Sequence, residues 1–267
     1  MTQGPDPFSE KTADLQRELW KTEIQLWRTQ QLLAAVQAES ILQSQRRQPR
    51  MQIEFRAQFA EDVWAWDLLG KQTEGFFIEA GAFDGLNFSV TYALEAMGWN
   101  GLLVEANPQP AQRCAARRPH SRVVHAALDK QAGGSTDLWV VQDRYGGMMS
   151  YTKISASQLQ SVGPMNRSVI SVPRATLNDL LADHHGDIDL VVLDLEGAEW
   201  DTLQAFDLLR FRPRLLLIEQ STATRPIIQD FMKARSYHGL GALLSNGIYA
   251  RSDQVDVIKR FKFLTGQ

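Results

Sequence analysis

From Phe76 onward the chain alternates short apolar runs with helical patterns, and few folds accept that rhythm. The runs predict strands at Phe76–Ala80, Gly101–Glu105, Arg122–Ala126, Leu138–Gln142, Leu190–Leu195 and Leu215–Glu219, with a last pair near Gly241–Leu244 and Gly247–Arg251. Most are β-branched or leucine-rich and uninterrupted by charge, as expected of strands covered on both faces. Strands in this order with helices between them predict a doubly wound α/β sheet.

The first unit reads Phe-Phe-Ile-Glu-Ala-Gly-Ala-Phe-Asp-Gly from Phe76 to Gly85. Gly81 and Gly85 let the backbone turn sharply and approach a ligand, and the helix behind them offers free N–H groups. Glycine after a strand also serves plain turn chemistry, so this loop alone does not specify a cofactor. The second strand, however, ends in Glu105, roughly 20 residues after Gly85, the spacing at which an acid reaches ribose hydroxyls in a βαβ unit. The third glycine of G-x-G-x-x-G is absent. A pyrophosphate needs it for close backbone approach, so a nucleoside ligand without phosphates fits better.

Acids recur at the strand ends. The segment from Asp189 to Glu199 delivers Asp194 at the edge of a buried strand, with Glu196 and Glu199 just beyond. Ligands of open α/β sheets bind outside the carboxyl ends of the strands, where Glu79, Glu105, Asp194 and Glu219 would gather. Carboxylates crowded there raise one another's pKa unless a cationic ligand or a metal compensates. Any one of these acids can instead cap a helix N-terminus, but capping explains all four together less well.

A chain of 267 residues, 44% hydrophobic, can bury a sizeable core. A net charge of −3 gives no electrostatic footprint for nucleic acid, and no apolar stretch is long enough to span a membrane. Met1 to Pro7 lacks a basic region followed by an apolar core, so a cytoplasmic protein is expected. The single cysteine, Cys114, excludes an internal disulfide framework and a cysteine-rich zinc site.

Between about Ser9 and Gln48 there is no proline or glycine, and the apolar residues fall on one helical stripe. Leu19, Leu26 and Leu33 repeat at seven, as do Trp20, Trp27, Ala34 and Ile41. This predicts a long amphipathic helix over residues 1–50, docked on its own domain or on a twin subunit, before a catalytic domain at 51–267. Acidic and basic residues mix on its polar face, against membrane-surface binding. Asp143 to Val172, including Tyr145, Met148 and Met149, lacks clear periodicity and is expected to be an irregular lid, a binding loop or a disordered linker.

In order from about Gln58 to Arg251, these segments resemble the FkbM family of S-adenosylmethionine-dependent methyltransferases. The resemblance includes the lead-in helix at Gln58–Asp62, Leu-Val-Glu-Ala-Asn-Pro at residues 103–108, the stretch Thr176–Leu181, Leu217-Ile218-Glu219 and the tail Asn246–Arg251. Asp194-Leu195-Glu196-Gly197-Ala198-Glu199 is its most specific element. Glu79 stands where many methyltransferases of this fold have Asp, and Phe83 where many members have Asn.

The resemblance implies a mostly parallel, seven-stranded class I methyltransferase sheet with S-adenosylmethionine as cofactor. Glu105 would bind the ribose, followed by Ala106 and Asn107. Gly81, Ala82, Asp84 and Gly85 would pass beneath the cofactor, Ala126 and Ala127 would border the adenine, and Glu79 and Asp194 would face its amino-acid end. The implied reaction is O-methylation of a hydroxyl on a sugar, glycan or other small-molecule natural product, with N-methylation open. A hydroxyl needs a base or a metal to deal with its proton. Asp194, Glu196 and His238 are the candidate bases, while His125, His184 and His185 suit structural or solvated roles. Asp194, Glu219 and Gln220 could hold Mg²⁺, which the sequence does not require. The rivals are an inactive scaffolding protein working through the N-terminal helix and, disfavoured by the missing glycine, an NAD-dependent oxidoreductase.

Overall fold

The computed structural model describes residues 7–141, 150–152 and 167–267. In chain order they form α1 (Pro7–Ser44), α2 (Glu61–Leu68), β1 (Phe76–Ala80), α3 (Tyr92–Met97), β2 (Asn100–Glu105), α4 (Pro108–Arg117), β3 (Arg122–His125), β4 (Ala127–Leu128), β5 (Ser135–Val141) and β6 (Ser150–Tyr151). Then come β7 (Arg167–Ala175), α5 (Leu177–Leu180), β8 (Leu190–Leu193), α6 (Glu199–Ala205), α7 (Leu208–Phe211), β9 (Leu215–Glu219), α8 (Arg225–Lys233), β10 (Tyr237–Leu243), β11 (Asn246–Arg251) and α9 (Val255–Thr265).

Seven strands form one sheet in the order β10-β11-β9-β8-β1-β2-β3. The five from β9 to β3 are parallel, and β11 and β10 close the edge antiparallel. Side chains alternate across it: Phe77 enters one core with Trp66, Met97, Trp99 and Leu103, while Ile78 enters the other with Val104, Val191, Leu193 and Phe206. The chain winds outward from β1 to β3, then returns to β8 on the other side of β1. A ligand crevice belongs at that reversal.

Two expectations need correction. The strand near Leu138 is not part of the main sheet; β5 belongs to a smaller one, ordered β4-β7-β5-β6. Residues Arg167–Val172, expected to be irregular, are the first part of β7, paired antiparallel with β5 from Ser135↔Pro173 to Val141↔Arg167. Only Val172 of β7 is fully buried, so the strand lacks the apolar run that identifies covered strands. Ser150 and Tyr151 of the same segment form β6, and residues 143–149 and 153–166, with Tyr145, Met148 and Met149, lie outside the described residues.

Helix α1 uses its two apolar series differently. Ala34, Ala38 and Leu42 enter the core beside Trp66 and Leu94, with Ile41 packed against it, while Trp20 and Trp27 meet Phe59 edge-on at 6.1 and 5.1 Å. Gln31 Nε2 donates to the Ala57 carbonyl at 2.7 Å, and Lys71 donates to Gln37. Leu15, Leu19, Leu26, Leu33 and Val36 remain exposed. Among the described residues no helix is long and apolar enough to cross a membrane.

Candidate active site

A cavity opens at the carboxyl ends of β1, β2, β8 and β9. Gly81, Ala82, Phe83, Glu105, Ala106, Ala126 and Ala127 line one side; Asp194, Glu196, Glu219, Ser245, Asn246 and Glu61 line the other. No Lys, Arg or His stands among its described lining residues.

Gly81 sets the floor. Its φ is +86°, and a Cβ there would lie 1.7 Å from the Asp194 carbonyl oxygen. Only glycine lets β1 turn this close to the end of β8.

Glu105 ends β2 with its carboxylate accepting from the Phe83 N–H at 2.8 Å and the Asn107 N–H at 2.7 Å. Burial nevertheless pushes its pKa up to about 7, against the lowering effect of those bonds. The acid therefore stitches the first loop to the second while facing the cavity.

Glu79 also lines the cavity, but its carboxylate accepts from Ser89 Oγ, the Val90 N–H and Thr91 Oγ1. Behind it lies Arg118, fully buried, donating to Glu95 at 2.8 Å, to Ser89 Oγ and to Thr91 Oγ1. Glu79 is thus engaged in holding residues 89–91.

Asp84, Gly85 and Asn107 sit one layer back from the cavity. Burial raises the Asp84 pKa, but the Asn87 N–H and the Arg117 guanidinium outweigh it and hold the carboxyl below its usual range. Gly85 packs against Arg118 and Cys114, and Asn107 caps α4. Burial pushes the Cys114 thiol up to about 12, which leaves it unreactive.

Opposite, Asp194 and Glu219 hydrogen-bond through their side chains. Burial, then the charges of Asp194, Glu196 and Glu199, push Glu219 up to about 9. Burial raises Asp194 as well, helped by Glu61 and Glu79 and opposed by the bond from Glu219. Asp194 is nonetheless open to solvent through the cavity. The bond between them opposes ionisation of Glu219 and favours it at Asp194.

Glu196 lines the cavity from a turn in which it has φ 53° and Gly197 φ 107°. Glu199 closes that turn by accepting from the Leu195 and Gly197 N–H groups. Carboxylate oxygens of Asp194, Glu199 and Glu219 lie within 4.8 Å of one another.

Two predicted residues are elsewhere. Gln220 donates its amide to the Tyr249 hydroxyl and packs against Gly247 instead of lining the cavity. His238 is exposed on β10 opposite Ala250, which pairs with Leu215. Leu215 starts β9, four residues or about 13 Å from Glu219, so His238 lies at the opposite end of the sheet.

The sequence did not reveal Glu61, whose carboxylate accepts from the Phe59 N–H and from Asn246 Nδ2 at 3.0 Å. Burial raises its pKa. It starts α2 beside Phe59, and only the return of β11 brings Asn246 to it.

No curated protein matches the chain in sequence. Among solved structures it is similar to a precorrin-6y C5,15-methyltransferase from Geobacter metallireducens (12% identity, 71% of this chain and 85% of that one, TM-score 0.41). It is also similar to a TehB-like SAM-dependent methyltransferase from Corynebacterium glutamicum (10% identity, 81% and 95%, TM-score 0.38). The model for the methyltransferase FkbM domain matches residues 79–239, spanning every strand from Glu79 in β1 to the start of β10. With that match over more than half its length, the chain belongs to the FkbM family and is an S-adenosylmethionine-dependent methyltransferase.

Proposed function

We propose that the enzyme methylates a hydroxyl of a sugar, glycan or other small-molecule natural product, with Asp194 as the base. The observation that carries this reading is the Asp194–Glu219 pair, whose carboxylate oxygens lie within 4.8 Å of each other and line the cavity beside Gly81.

The residues present fit the cofactor. Gly81 and Ala82 make a floor that a side chain would fill, Glu105 offers acceptor oxygens for ribose hydroxyls, and Ala106, Ala126 and Ala127 are small walls for the adenine. The acidic lining favours a sulfonium. When bound, S-adenosylmethionine supplies an electrophilic methyl group on positively charged sulfur.

What remains for the protein is alignment, exclusion of water and a place for the acceptor's proton. Asp194 accepts that proton, and Glu219 donates a hydrogen bond that steadies Asp194 while it is ionised. Glu196 and Glu61 accept hydrogen bonds from further acceptor hydroxyls. Mg²⁺, if used, would be held by Asp194, Glu199 and Glu219 in place of the set that included Gln220.

The test is transfer of a labelled methyl group to a panel of sugars and polyols, with and without EDTA. Asp194→Asn should slow transfer by about 10²–10⁴-fold while S-adenosylhomocysteine still binds. Glu219→Gln, which mimics the protonated acid, should cost far less. Equal losses in both variants, or methylated amines as the sole products, would overturn the assignment.

A further inference from the structure

We infer that the solvent face of α1 is a self-association surface and that its occupant is the same face of a second copy of this chain. Leu15, Leu19, Thr22, Leu26, Thr29, Leu33 and Val36 follow one another at steps of four and three residues, the spacing of a two-helix seam. The five apolar members are 55% to 64% exposed, while from Trp27 onward the opposite face packs against Phe59 and the core. The two threonines do not interrupt the seam: the Thr22 and Thr29 hydroxyls donate to the carbonyls of Glu18 and Gln25, leaving their methyl groups outward.

The surroundings suit a copy of the same helix. Arg17 pairs with Asp14 and Lys21 with Glu18 within α1, so much of the flanking charge is cancelled before any partner arrives. Gln16, Gln25 and Gln30 occupy neighbouring flank positions and can accept either side of a twofold contact. A membrane surface would instead call for a basic flank.

The area is adequate. Fully burying one such side chain removes about 60–120 Å² of apolar surface, so these five and Leu32, all over half exposed, remove roughly 350 Å² per chain. Two chains then remove on the order of 700 Å², and at an interface apolar fraction near 60% the total reaches about 1,200 Å², the lower limit of a standard stable interface.

Sedimentation of the full chain across micromolar concentrations tests this. The wild type should sediment at twice the chain mass, and Leu19→Glu and Leu26→Glu, both at exposed positions, should sediment as monomers with an unchanged circular dichroism spectrum. A monomeric wild type overturns the inference, whether the face is left to solvent, a lipid surface or another protein. Dimers that persist in both variants place the interface elsewhere and also overturn it. S-adenosylhomocysteine binding, measured alongside, reports on the cofactor site independently of either result.

Discussion

Gly81 and Asp194 meet backbone to backbone where β1 and β8 end, so close that a Cβ on residue 81 would lie 1.7 Å from the Asp194 carbonyl oxygen. Gly81→Ala combines that overlap with a left-handed φ of +86°. It should cost about 2 kcal/mol or more in stability and abolish S-adenosylhomocysteine binding, by denaturant unfolding and calorimetric titration.

The buried acids predict how stability depends on pH. A carboxyl raised on folding binds more protons folded than unfolded, so stability is full below its unfolded pKa and falls as pH rises towards the folded one. Burial pushes Asp62 and Glu105 each to about 7 and Glu219 to about 9. The melting temperature of the ligand-free protein should therefore fall as pH rises from about 5 to 9, most of all between 5 and 7. A flat or rising profile would refute this.

Glu105 gives cofactor binding its own pH dependence. Ribose hydroxyls donate best to an ionised carboxylate, so S-adenosylhomocysteine affinity should rise as pH increases through about 7. Glu105→Gln should bind weakly and without that dependence, as read by calorimetry at several pH values.

Arg118 is fully buried between Glu95 and the loop that Glu79 holds. Arg118→Met leaves buried carboxylates without their cation and should cost about 3–5 kcal/mol in urea unfolding. Residues 89–91 should also lose hydrogen-exchange protection.

Trp27 supports the cavity wall from outside the domain core. It meets Trp20 and Phe59 edge-on at 5.5 and 5.1 Å, and Phe59 lines the cavity. Each such pair contributes about 0.5–1.5 kcal/mol, so Trp27→Ala should lower stability by about 2 kcal/mol. It should also speed hydrogen exchange at Phe59, and Trp27→Phe should largely restore both.

Much of this was legible locally. The apolar runs at Phe77–Ala80 and Leu190–Leu193 identify covered strands without reference to anything distant, and glycine at position 81 marks a turn few other residues can make. β7 was not legible, because Ser168, Ser171 and Pro173 interrupt its apolar residues and its strand character depends on pairing with β5. His238 and Gln220 looked eligible by residue type. Register put His238 at the wrong end of the sheet, and Tyr249 engaged Gln220.

The sequence by itself determined the alternation of strands and helices, the acidic strand ends and the long amphipathic helix, since each rests on the period and chemistry of adjacent residues. Only the tertiary structure decided which carboxylates meet at the cavity, which are engaged by loops, and which side of α1 faces solvent. Those outcomes depend on contacts between residues as far apart as Glu61 and Asn246, and on burial that no single segment can specify.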